Sequence, residues 1–213
     1  MPVKRREPLS RERVLRAAIE LADAEGLQAL TMRRLANALG VEAMSLYNYV
    51  KSKDELLDGI LEAVAEEVAP AEGPDWRAAL RRHAISEREV LLRHPWASAL
   101  RGTRQSGGPA QLRDADLTLR ALREAGFPPE LVYHAFHILD AYVLGFATLQ
   151  LSFPRQGKEL PALAASMLER FPAATYPDLA EHIRGHLEPH EEGGFELGLD
   201  LILDALARAA APA

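Results

Sequence analysis

Residues Thr31 to Tyr49, TMRRLANALGVEAMSLYNY, constrain the fold more than any other stretch of this chain. Met32, Leu35, Ala36 and Leu39 recur at three- and four-residue steps, the apolar stripe of a short amphipathic helix. Thr31 can cap its start. Gly40 breaks it where a tight turn needs a permissive backbone. After Leu39-Gly40-Val41 a further short helix is expected from about Glu42 to Tyr49. Ala36 is small where two helices have to approach closely, and Val41 and Leu46 can fill the angle between them. The stretch therefore predicts two short helices crossing at a sharp turn.

Its flanks are helical too. Val14, Leu15, Ala18, Ile19 and Ala22 form a stripe along Arg11–Glu25, with Ser10 as N-cap and Gly26 as terminator. Arg13 occupies the third helical position, so no full capping box forms there. Ser52 can cap a fourth helix, Lys53 to Val68, carrying Leu56, Leu57, Ile60, Leu61, Val64 and Val68. The strong helix formers Ala, Leu, Arg and Glu dominate the chain and β-branched residues are sparse, so an all-α fold is expected. The run APAEGPD, residues 69–75, is the clearest break. It divides the chain into an N-terminal domain, 1–68, and a larger helical domain, 69–213. Helices are expected there at Trp76–Arg93, Trp96–Thr103, Gln111–Ala125, Pro129–Phe153, Leu160–Arg170, Tyr176–His186 and Phe195–Ala210.

Composition excludes several classes. There is no cysteine, which removes disulfide frameworks, thiolate zinc sites and cysteine nucleophiles and fits a reducing cytoplasmic setting. Met1 to Ser10 is basic and polar and lacks the apolar stretch of a secretory signal. The apolar segment Leu131–Phe153 is interrupted by Tyr133, His134, His137, Asp140, Thr148 and Gln150. It reads as a buried helix of a soluble protein with no membrane partner. Net charge is -6, but residues 1–60 hold 10 Lys/Arg against 9 Asp/Glu, and the remainder 15 against 22. Lys4, Arg5, Arg6, Arg11, Arg13 and Arg16 cluster at the start, and Arg33, Arg34, Lys51 and Lys53 follow. A locally basic surface on an acidic body can grip phosphate.

The two crossed helices have the logic of a helix-turn-helix, whose second helix enters the DNA major groove. Its outer surface here carries Ala43, Met44, Ser45, Tyr47 and Asn48. The stretch Leu9–Val64, and in particular AEGLQALTMRRLANALGV followed by MSLYNYVKSKDELL, resembles the tetracycline-repressor (TetR) family of transcriptional regulators. The resemblance implies an N-terminal three-helix helix-turn-helix DNA-binding domain, followed by a larger helical ligand-binding and dimerisation domain. It implies that Thr31 caps the first helix of the motif and can touch phosphate, and that Arg33 reaches phosphate or a base edge. Ala43, Met44, Ser45 and Asn48 would face the groove. Tyr47 and Tyr49 would set their hydroxyls against the backbone, and Lys53 would bind a phosphate. Lys4, Arg5 and Arg6 would add charge as an arm. Arg34 reads equally well as a solvated helix charge; for Met44 an exposed apolar residue, and for the tyrosines plain packing, are the weaker alternatives to DNA contact. Only Asn48 on this face can pair bidentately with adenine. Specificity is therefore expected to rest on Arg33, Asn48, contacts to thymine methyls and DNA shape.

One such motif reads few base pairs, so a homodimer on a palindromic operator is expected. The two most apolar helices are the candidates for the dimer contact. Val132, Phe136 and Val143 on the first, and Phe195, Leu199, Ile202 and Leu206 on the last, form the stripes assigned to it. Beside them run His134, Ile138, Ala141, Gly145 and Thr148, and Leu197, Leu201 and Ala205. A helix apolar on two faces needs cover on both. A small-molecule inducer of unknown identity is expected within the same domain, with Trp96, Leu100, Arg104, Phe136, His137 and Tyr142 as candidate contacts. No cofactor is implied, and no tetracycline–magnesium site is carried over. His182, His186, His190 and Glu191 read as a solvated segment rather than a metal site, and His134 and His137 as core histidines. No nucleophile–base pair, phosphate loop or metal cluster marks an enzyme. A helical adaptor without DNA binding is the alternative, and steep salt dependence of DNA binding would separate the two.

Overall fold

The computed structural model describes residues 8–104, 107–152, 159–185 and 193–211. They form eleven helices and, among the described residues, no strand. Helices α1 (Arg11–Glu25), α2 (Met32–Leu39), α3 (Ala43–Leu46) and α4 (Lys53–Ala65) make the N-terminal head. Then come α5 (Trp76–Arg93), α6 (Pro95–Thr103), α7 (Pro109–Glu124) and α8 (Pro129–Ser152). The last three are α9 (Glu159–Arg170), α10 (Pro177–Gly185) and α11 (Gly194–Ala210).

The head closes around Val14, Ala18, Leu30, Leu35, Leu46, Val50, Leu56 and Ile60, all fully buried. Its caps are the ones the sequence predicts. Ser10 Oγ accepts from the Arg13 N–H at 3.2 Å, Thr31 Oγ1 from Arg34 at 3.2 Å, and Ser52 Oγ from Glu55 at 3.0 Å. Glu55 also reaches back, its Oε2 accepting from the Lys51 N–H at 2.8 Å. This resembles a capping box displaced by one residue. Gly40 is left-handed, φ 67° and ψ 40°, which a residue with a Cβ rarely adopts.

Two expectations need correction. The sequence predicts a third helix reaching Tyr49, but regular α-helix ends at Leu46. Beyond it the Tyr47 N–H donates to the Met44 carbonyl at 3.3 Å and the Tyr49 N–H to that of Leu46 at 2.9 Å, i to i+3 closures that tighten the chain into turns. Leu46 and Val50 thereby enter the core while Tyr47 and Asn48 stay outside. The second correction concerns α8, which is not a buried helix. It is long and apolar enough to cross a membrane by length and composition alone, yet only 28% of that window is buried. Val132, Ala135, Leu139, Val143 and Ala147 pack against α5, α7 and α11. The opposite face, with Tyr133, His134, His137, Ile138 and Leu149, is exposed. His134 and His137 are therefore not core histidines.

Helix α5 is the centre of the larger domain, packed on α6, α7, α8 and α11. Arg77 pairs with Asp204, and Arg81 Nε with Asp200 Oδ1 at 2.9 Å, fixing α11 along α5. Helices α9 and α10 pack on each other. His182 is exposed on α10, while His186, His190 and Glu191 lie outside the described residues, as do Lys4, Arg5 and Arg6.

Candidate functional site

The turn at Gly40 sets α3 across α2 and directs one surface of the head outward. Met44 is 75% exposed, and Tyr47, Asn48, Arg33 and Lys53 are exposed beside it. Ala43, Ser45 and Tyr49 are half-buried. Arg33 and Lys53 have no ion-pair partner among the described residues, so their charges stand open to solvent. Arg34 differs: its guanidinium pairs with Glu25 on α1. Thr31 and Arg33 at the start of α2, Lys51 in the turn after α3 and Lys53 at the start of α4 are all exposed, and Arg33 and Lys53 stand near helix N-termini. Such an arrangement suits phosphates at its edges and base edges at its centre.

A second feature lies in the larger domain. A partly open cavity of about 90 Å³ lies between α4, α5, α6, α7 and α8. Leu61, Val64 and Ala65 of α4 form one wall with Val68, which lies in the turn beyond Ala65, where the helix expected to reach Val68 already ends. Leu80, Leu139 and Val143 are among the other apolar lining residues. His83, Glu87, Arg101, Asp114 and Asp140 supply polar groups. Of the six residues expected at the ligand, Phe136 is among those lining this cavity, and the other five have different surroundings. Trp96 Nε1 donates to Asp23 Oδ1 at 2.7 Å, and Leu100 is buried in the core. Arg104 Nη2 binds Asp54 Oδ1 at 2.8 Å and its Nη1 binds Asp58 Oδ1 at 2.5 Å. His137 is exposed, its Nδ1 2.8 Å from the Tyr133 carbonyl oxygen. Tyr142 donates to the Phe195 carbonyl at 2.8 Å and sits where any side chain on Gly198 would strike it.

Trp96 and Arg104 instead join the head to the larger domain. His94 Nδ1 and Trp96 Nε1, both at the start of α6, converge on Asp23 of α1. Arg104, just past the end of α6, holds the first turns of α4. Helix α6 is therefore clamped to the head at both ends. The cavity charges escape a reading of the sequence because each looks like one more solvated helix residue. Their signal is position: His83 and Glu87, one turn apart, share the side of α5 that carries Leu80, Ala84 and Leu91.

The stripes assigned to the dimer contact also need correction. Val132, Val143, Phe195, Leu199 and Leu206 are buried within this one chain, and Phe136 and Ile202 are half-buried. They lie on the faces of α8 and α11 that pack against α5 and one another. The neighbouring stripes remain outside: Ile138, Ala141, Gly145, Thr148 and Leu149 on α8, and Leu197 (63% exposed), Leu201 (60%) and Ala205 on α11.

Known proteins share both parts of this architecture. Residues 14–60 match the family described as bacterial regulatory proteins, tetR family, and residues 69–209 match the tetracyclin repressor-like C-terminal domain. The chain belongs to the TetR family of transcriptional regulators. An HTH-type transcriptional regulator of Saccharopolyspora erythraea is 38% identical over 81% of this chain and 74% of its own. The HTH-type transcriptional repressor DrrR1 of Streptomyces coeruleorubidus is 36% identical over 93% of this chain and 77% of its own. Among solved structures, the Streptomyces coelicolor TetR family protein ActR in complex with actinorhodin superposes with a TM-score of 0.78. It is 31% identical, with 97% of this chain and 100% of that one covered. This TetR-family chain thus pairs a helix-turn-helix head with a helical domain of a kind that holds a ligand in a solved relative.

Proposed function

We propose that this TetR-family regulator is a homodimeric repressor that binds a palindromic operator in the cytoplasm and is released by a small-molecule inducer. Residues 1–68 act as the DNA-binding domain and 69–213 as the ligand-binding and dimerisation domain. The observation that carries this reading is the wall shared between cavity and head. Leu61, Val64 and Ala65 line the cavity, while Lys53 and Asp54 open the same helix beside the reading surface. A ligand that fits only when α4 tilts must shift the head, and it can do so only through differential affinity for the two positions.

On the DNA, Thr31, Arg33, Tyr47, Tyr49 and Lys53 hold phosphates, and Ala43, Met44, Ser45 and Asn48 meet the bases. The exposed apolar faces of α8 and α11 support a two-fold contact. Gly145 has open space around it, so a partner helix can come close there. Two heads then address half-sites roughly 34–36 Å apart.

Selection from a random duplex library tests the reading. It should enrich a palindrome occupied by two protomers, and compounds that raise the thermal stability of the protein should weaken its grip on that DNA. Enrichment of an asymmetric site holding one protomer would refute the dimer. A compound that stabilises the protein from within the cavity and leaves operator affinity unchanged would refute the coupling.

A further inference from the structure

Five ionisable side chains meet in the cavity: His83 and Glu87 on α5, Arg101 on α6, Asp114 on α7 and Asp140 on α8. Arg101 is occupied by the others. Its Nη1 donates to Glu87 Oε1 at 2.6 Å and its Nη2 to Asp140 Oδ1 at 2.5 Å. Burial works against the Arg101 charge, but Glu87 and Asp140 outweigh it and hold the guanidinium more firmly protonated than usual. One guanidinium and one imidazole therefore face three carboxyl groups.

The ionisable groups left unpaired offer acceptors, while the uncharged lining residues Thr118 and Gln111 can both donate and accept. The His83 side chain is 9% exposed, and its Nδ1 lies 2.9 Å from the Ala69 carbonyl oxygen. That carbonyl can only accept, so the Nδ1 hydrogen is directed to it. In the neutral ring this leaves Nε2 with a lone pair, 3.9 Å from Glu87 Oε2 and beyond hydrogen-bond reach. Nothing among the described residues satisfies Nε2. Asp114 Oδ1 is 3.5 Å from His83 Nδ1, whose hydrogen is already engaged, and Asp114 accepts no hydrogen bond from a described residue. Burial raises the Asp114 proton affinity above the ordinary carboxylate range, with His83 as the chief opposing influence. A nearly buried histidine nitrogen, an unanswered carboxylate and the second oxygen of Glu87 thus lie together beside an apolar wall.

We propose that the cavity takes a protonated amine carried on a small apolar ring. The ring would lie against Leu61, Val64, Leu139 and Val143, and the ammonium among Asp114, Glu87 Oε2 and His83 Nε2. An ammonium has three hydrogens and no lone pair, which matches these acceptors, and the Thr118 hydroxyl and Gln111 carbonyl on the same lining can accept as well. A carboxylate ligand would meet an excess of like charge from Glu87, Asp114 and Asp140, with only the uncharged Thr118 and Gln111 as free donors. The proposal rests on the reading of this cavity as the effector site and names the chemical class of the effector.

Three probes of similar size, each with a single ring to suit the small cavity, test it by isothermal titration calorimetry on the full-length protein at pH 7: benzylamine, benzyl alcohol and benzoic acid. The amine should bind about tenfold or more tighter than the alcohol, and the acid more weakly than either. Asp114→Asn keeps the shape and removes the charge, so it should erase most of the preference for the amine and leave alcohol binding alone. Circular dichroism establishes that this variant is folded, and the wild-type order of the three probes does not depend on it. Equal binding of all three, preference for the acid, or no binding of the amine would overturn the proposal. Failure of the effector reading looks different: the amine binds in the expected order and operator affinity does not change.

Discussion

Asp23 belongs to the DNA-binding head, yet its carboxylate is engaged by the larger domain. His94 Nδ1 lies 2.9 Å and Trp96 Nε1 2.7 Å from Oδ1, and both rings are buried. The carboxylate can only accept, so both nitrogens donate to it. Asp23→Ala removes the acceptor and leaves two donors that solvent reaches poorly. Hydrogen bonds to a charged group contribute about 1.5–3 kcal/mol each. The Asp23 side chain is 30% exposed, so the low end applies, giving about 3 kcal/mol for the pair. At about 2–4 °C per kcal/mol for a chain of this size, the melting temperature should fall by roughly 6–12 °C. Differential scanning calorimetry reads this directly. In a Trp96→Phe background, Asp23→Ala should cost about half as much, because one donor is already gone. A fall of less than about 2 °C, or an undiminished effect in that background, would refute the idea that this carboxylate fastens head to body.

Four further outcomes are expected. Lys53→Ala should weaken binding to all operator variants alike and lower the slope of log affinity against log salt by about 1, measured by fluorescence anisotropy. Arg33→Ala with Asn48→Ala should instead relax discrimination, by about 1–3 kcal/mol for each base no longer read, and unchanged ranking of operator variants would contradict the assignment. Leu197→Asp with Leu201→Asp should give a folded monomer by analytical ultracentrifugation, since both side chains lie outside the core; Leu199→Ala, inside it, should cost about 2–5 kcal/mol of stability. Asp114 bears on pH. Its folded-state pKa is raised by burial above the ordinary 3.8, so its contribution to stability is greatest below that value and declines as pH rises through the raised one. Asp114→Asn should therefore raise the melting temperature of the ligand-free protein at pH 7 and flatten its dependence on pH across that window.

Sequence alone determined the local structure. Ser10, Thr31 and Ser52 cap the helices as their spacing requires, Gly40 takes the left-handed turn, and the apolar stripes of α1 and α2 point inward. Capping, turn geometry and helical periodicity are interactions between near neighbours, so they can be read from a string of residues. The motif at Thr31–Lys53 was legible for the same reason. Which of two apolar stripes on α8 and α11 faces the core was decided only by the tertiary structure. Both stripes fit helical periodicity, and the choice depends on how α5 lies across them. The cavity was hidden likewise. His83, Glu87, Arg101, Asp114 and Asp140 come from four helices, and no spacing along the chain announces that they meet. Trp96 and Arg104 are the instructive case: their positions suggested a ligand, but Asp23, Asp54 and Asp58, distant in sequence, claim them for the joint between head and body. Partners that meet only after the chain has packed leave no periodic trace, because packing rather than sequence separation sets their distance.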